Sequence, residues 1–266
     1  MAKRKRSPKQ KNRLVPKKQA IHWIDQANEQ LRRQDYQGLA QTCKRVLRDA
    51  PPKSQERADA LEYLASAYTM LKQFENAYQT LSQLLEIDPR PAYFWYNRGM
   101  AGRYTLRLVQ ATRDLEKAVE LEKDPAQRQQ FIELLAQTRE MAESERALRG
   151  PDFTLEQLQE QQNLFARATQ LMNQEKWADA EQAFRRVIEM ADCLPSPQGN
   201  LGLALLMQKK YDEAEFALKR SLELDPDYDL AKQNLAMLPM IRRSGETPKI
   251  ALRDPFADAD VSLTLQ

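Results

Sequence analysis

Nine Lys and Arg side chains crowd the first 18 residues, and no acid lies among them. Lys3, Arg4, Lys5, Arg6, Lys9, Lys11 and Arg13 form the densest part, followed by Lys17 and Lys18. Such a run can contact phosphates, which gives salt-dependent affinity blind to sequence. In a eukaryote it would also read as a nuclear import signal. No aromatic residue is interleaved in residues 1–18, so base stacking has no support there. Other chemistry is scarce. His22 is the only histidine, Cys43 and Cys193 are the only cysteines, and neither cysteine belongs to a C-x-x-C pair. Ligand spacing for a metal is missing, as is a glycine loop that could cradle phosphate. These residues predict no catalytic group, no metal, no cofactor and no small-molecule substrate.

The rest of the chain has a different character. Once the basic run is removed, the full +3 charge becomes about −6, with 32 basic against 38 acidic residues. Hydrophobic residues make up 42% of the 266, enough to bury a core, and there are only 7 glycines. The abundant Ala, Leu, Gln, Glu, Lys and Arg are good helix formers, so an all-α protein is expected. No run of about 18 apolar residues is present, so no membrane span is expected. No apolar segment follows the basic start, which argues against a secretory signal. A soluble protein of the cytoplasm is the expectation, or of the nucleus if the host is a eukaryote.

A 34-residue period orders the helices. Phe74-Glu-Asn-Ala77, Trp177-Ala-Asp-Ala180 and Tyr211-Asp-Glu-Ala214 each place an aromatic three residues before a small residue. Ala77 and Ala111 are 34 residues apart, and so are Ala180 and Ala214. Asp88-Pro89 and Asp225-Pro226 close their units. Ala27, Ala65, Gly99, Ala168 and Gly202 put a small residue inside each first helix, where two helices can cross closely.

These landmarks resemble the tetratricopeptide repeat family. Five units fit its pattern, at residues 20–53, 58–91, 92–125, 161–194 and 195–228. Leu39 in the first unit replaces the expected small residue. The resemblance implies an all-α, right-handed solenoid of antiparallel helix pairs, the tetratricopeptide superhelix, with extra capping or bridging helices. Stacking would let each pair bury a face that it cannot bury alone.

Two breaks shape the domain expectation. Residues 127–149 carry Phe131, Leu134, Leu135 and Met141 on one helical face, ending near Gly150-Pro151. Thr154-Leu-Glu-Gln157 reads as a capping box for the next helix. The expected order is a basic tail at 1–18, three repeats and a closing helix over 19–149, two repeats and a capping helix over 154–240, and a loose tail over 241–266. Pro239 is expected to end the capping helix.

In the family, first helices line a ligand groove, so the resemblance implies which side chains face it. By that register Tyr63, Tyr93, Tyr96, Asn97, Met100, Tyr104, Phe165, Thr169, Asn200 and Leu203 are groove candidates. Tyr and Met supply adaptable contact area, and Asn can both donate to and accept from a peptide backbone. The carboxylate clamp of some members is not reproduced. Asn28 fits one position, but Ile24 stands where a Lys belongs and Tyr63 where an Asn belongs. The expected function is an adaptor holding a protein partner's peptide or helix. The alternative is a nucleic-acid or ribosome-associated factor anchored by the basic tail.

Overall fold

A computed structural model describes residues 17–245, which form twelve helices and no strand. The chain is all-α, as expected. The helices are α1 (Lys17–Arg32), α2 (Tyr36–Asp49), α3 (Gln55–Met70), α4 (Phe74–Ile87), α5 (Ala92–Tyr104), α6 (Leu108–Leu121), α7 (Pro125–Ala147), α8 (Leu155–Asn173), α9 (Trp177–Met190), α10 (Pro195–Met207), α11 (Tyr211–Leu224) and α12 (Asp229–Ser244). Five pairs correspond to the five repeats: α1–α2, α3–α4, α5–α6, α8–α9 and α10–α11.

One turn recurs inside all five pairs. The second residue after each first helix has a left-handed backbone: Gln34, Lys72, Leu106, Glu175 and Lys209, with φ from 56 to 63°. The next amide donates five residues back, as in Asp35 N to Gln30 O at 2.8 Å and Lys210 N to Leu205 O at 3.0 Å. This is the helix-ending motif that satisfies orphan carbonyls. It sends the second helix back along the first.

Small residues set how closely the two helices approach. Ala77, Ala111, Ala180 and Ala214 are fully buried. A Cβ on Gly99 would lie 2.9 Å from Leu115 Cγ, and one on Gly202 would lie 2.5 Å from Leu218 Cγ. In the α5–α6 pair the crossing also holds a buried ion pair. Arg98 donates from Nε and Nη2 to the two oxygens of Asp114, both at 2.7 Å, and Asp114 is fully buried. Two parallel charge-assisted bonds are the geometry that makes such burial tolerable.

The chain divides into two compact units, one ending at Pro89 and one beginning at Arg90. The first holds α1–α4 around Leu39, Cys43, Leu61, Leu81 and Leu84. The second holds α5–α12, with a core that includes Phe184, Leu205, Leu206 and Leu218. The break anticipated at Gly150-Pro151 lies inside this second unit. Its local chemistry is as expected: Gly150 has φ +106°, and Thr154 and Gln157 form the capping box. Yet side chains cross it. Arg149 Nε donates to Gln161 Oε1 at 2.6 Å, and Gln161 Nε2 donates to Val187 O at 3.0 Å. Gln161 thereby links the end of α7 to α9.

Pro239 does not end α12, which runs on to Ser244 and stops at Gly245, φ +66°. Leu238 and Ile241 flank the proline and are buried, at 3% and 1% exposure. Burying those two side chains offsets the local cost of an internal proline. The expected tail thus begins later than residue 241, and its residues from 246 on lie outside the described ones, as do residues 1–16.

Candidate functional site

In the first unit, α1 and α3 border a groove of about 400 Å³ lined by Ile24, Leu31, Asp59, Glu62, Tyr63 and Ser66. Tyr63 is half-buried and held from two sides. Its hydroxyl donates to Asn28 Oδ1 at 2.8 Å, and its ring meets the buried Trp23 edge-on at 5.9 Å. Burial raises the phenol above its ordinary pKa, and the carboxylates of Glu62 and Asp59 push the same way. The phenol therefore sits in negative potential. Asp59 also accepts from Gln55 Nε2 at 2.6 Å, which steadies it on α3. A groove with apolar Ile24 and Leu31, one aromatic ring and two carboxylates suits an aliphatic stem ending in a donor or cation.

In the second unit, Tyr93, Asn97, Met100 and Tyr104 recur along one stripe of α5. Tyr93 is 43% exposed and Tyr104 37%, Asn97 is exposed and Met100 half-buried. Tyr96 behaves differently. It stacks on Phe131 of α7, with centroids 4.3 Å apart and planes 19° apart, and so fastens α5 to α7. Arg103 Nη2 donates to Met141 Sδ at 3.2 Å, also toward α7, and burial draws its guanidinium below the ordinary pKa.

The remaining candidates sit deeper. Phe165 is half-buried, edge-on to the core residue Phe184 at 5.7 Å. Thr169 turns its hydroxyl back on its own helix, donating to Phe165 O at 3.1 Å. Asn200 and Leu203 are buried, at 2% and 3% exposure, unlike Asn97 and Met100 of α5. The reason is their helix. α10 packs against α8, α9, α11 and α12, and every residue from Pro197 to Leu206 is buried.

The phosphate candidates Lys3, Arg4, Lys5, Arg6, Lys9, Lys11 and Arg13 lie outside the described residues. Among the described residues, no group of three or more His, Cys, Asp or Glu side chains could hold a metal ion, and no helix is long and apolar enough to cross a membrane. The groove residues that the register overlooked are Leu31, Asp59, Glu62 and Ser66. Helical spacing is the available signal, since residues three or four apart share a face: Leu31 follows Asn28 by three, Asp59 and Ser66 lie four before and three after Tyr63, and Glu62 lies three and four residues from Asp59 and Ser66.

Residues 59–90 and 198–228 each match a family model described as Tetratricopeptide repeat. Over 89 residues the chain is 34% identical to serine/threonine-protein phosphatase 5 of Mus musculus and of Homo sapiens, covering 33% of this chain. The chain spans 18% of the length of these curated relatives. Among solved structures, a tetratricopeptide repeat protein from Parabacteroides merdae aligns at TM-score 0.41 and 19% identity, over 85% of this chain and 86% of that one. The TPR2AB domain of yeast Sti1, in its pHSP90 complex, aligns at TM-score 0.39 and 15% identity, over 86% of each chain. YrrB, a TPR protein described with an unusual peptide-binding site, aligns at TM-score 0.37 and 16% identity, over 82% of this chain and 92% of that one.

Proposed function

The chain is a tetratricopeptide repeat protein, and from that premise we propose that it is a scaffold holding a partner protein's peptide or helix along the first helices of its repeats. The observation that carries this reading is the groove between α1 and α3. There a half-buried Tyr63 is fixed by Asn28 and Trp23 beside the apolar Ile24 and Leu31. A rigid aromatic anchor that needs no reordering keeps the entropic cost of binding low. Tyr93, Asn97 and Tyr104 on α5 supply a second stretch of the same chemistry in the other unit.

The test is an array of short peptides probed with the full chain and with a Tyr63→Ala variant. A subset of peptides should retain the wild type and lose the variant by about tenfold or more, the loss expected of a central anchor. Circular dichroism melts would confirm that the variant remains folded. If no peptide separates the two proteins, the groove is not a binding site and the reading fails.

A further inference from the structure

A larger groove, of about 590 Å³, lies in the second unit among α9, α10 and α11. Leu201 and Leu205 of α10 form its floor. At 100° per residue these two lie on the side of α10 opposite Leu203 and Met207, so the groove is distinct from the face of α10 that the repeat register assigns to a ligand. Ile188 and Ala217 extend the apolar lining. Beside it stands Phe216 of α11, 74% exposed, the most exposed large hydrophobic side chain among the described residues. Neighbours on α11 explain why this position is not core: Ala214, Ala217, Leu218 and Ser221 are the ones turned inward. Phe216, Ile188, Leu201, Leu205 and Ala217 line one depression, so the exposed ring belongs to a contiguous apolar patch, the kind of surface that a partner covers.

The rim decides what fits. Glu189, Asp212 and Glu213 are its carboxylates and Arg185 its one cation. Arg185 is already held, donating to Glu213 Oε2 at 2.6 Å and to Glu181 Oε1 at 3.0 Å. Asp212 is paired with Arg242 at 2.8 Å. Glu189 is exposed and has no ion pair among the described residues. The surplus charge at the rim is therefore negative. A second copy of the chain would bring two such rims together, which like charges disfavour. A basic partner meets no such penalty.

We propose that this groove is a second docking surface, taking an apolar side chain from a partner protein's segment flanked by Lys or Arg. Phe216 packs on the apolar anchor, Leu201 and Leu205 floor its pocket, and Glu189, the rim carboxylate with no ion pair among the described residues, faces the flanking cations. The surface is independent of the α1–α3 groove and does not require that groove to bind anything.

The experiment uses the full chain and two labelled peptides that share a Leu-Trp-Leu core, one flanked by Lys and Arg, the other by Glu. Binding is read by fluorescence anisotropy. The basic-flanked peptide should bind, weaken with added salt, and lose about tenfold in affinity to Phe216→Ala. Glu189→Lys should weaken it in low salt, while Tyr63→Ala should leave it unchanged. Phe216 is too exposed for its truncation to unfold the chain, and a thermal melt checks this. Three results would each overturn the proposal. One is an affinity for Phe216→Ala within about twofold of wild type. Another is equal binding of the two peptides. The last is a wild-type dimer in sedimentation that Phe216→Ala dissolves and the basic peptide does not displace.

Discussion

The hydroxyl of Tyr63 on α3 donates a 2.8 Å hydrogen bond to Oδ1 of Asn28 on α1. By the repeat register these are two positions where a carboxylate-clamping member would carry Asn. Here the second Asn is replaced by a phenol, and the phenol occupies the carbonyl of the first. The pair joins two first helices instead of leaving both amides to a ligand. Tyr63→Phe keeps the ring and removes the bond. It should cost about 0.5–1.5 kcal/mol, the net worth of one hydrogen bond, read from thermal unfolding. An unchanged melting temperature would mean the bond does not tie α1 to α3.

Gly202 and Leu218 set the approach of α10 to α11. A methyl group on Gly202 would stand 2.5 Å from Leu218 Cγ and 2.6 Å from its Cδ2. Leu218 is fully buried, with nowhere to move. Gly202→Ala should therefore destabilise by about 1–3 kcal/mol, although alanine is the better helix former. Denaturant unfolding would show it as a lower midpoint. A midpoint at or above wild type would mean that the helices can separate at no cost.

The five inter-helix turns hold a non-glycine residue in the left-handed region, which an L side chain adopts at a cost of about 1 kcal/mol. Lys209→Gly should relieve that strain and gain up to about 1 kcal/mol, less the extra freedom that glycine has when unfolded. Lys209→Val should do the reverse, because a β-branched residue is worst at this backbone angle. Melting temperatures ranked Gly above Lys above Val would support the strain; the opposite ranking would refute it.

Cys43 and Cys193 should respond differently to alkali and to thiol reagents. Cys43 is fully buried, and burial pushes its thiol up to about 12 from an ordinary value of 9.0. The folded state keeps the proton where the unfolded state gives it up. This contribution to stability is intact below pH 9 and is lost as pH rises from 9 toward 12, on the order of 1 kcal/mol per pH unit. Cys43→Ala should flatten that alkaline slope. Cys193 is half-buried, with burial also raising its thiol. It should react with a thiol reagent first, and Cys43 only when the first unit opens. Equal reaction rates in the native protein would contradict this.

The amino-acid sequence by itself determined the helix pairs. Its markers act locally: Thr154 and Gln157 start α8, Pro89 and Pro226 follow the ends of α4 and α11, and Gly99, Ala111, Gly202 and Ala214 mark the crossings. Each works through its own backbone or a neighbour one helix away, so spacing alone reveals it. Tertiary structure decided which faces are covered. Asn200 and Leu203 carry the same register as exposed Asn97 and half-buried Met100, yet they are buried because α8, α9, α11 and α12 surround α10. Pro239 looks like a stop, yet α12 passes through it because Leu238 and Ile241 reach the core. The groove beside Phe216 exists only where three helices meet. Burial depends on what packs against a residue, and those partners lie far along the chain.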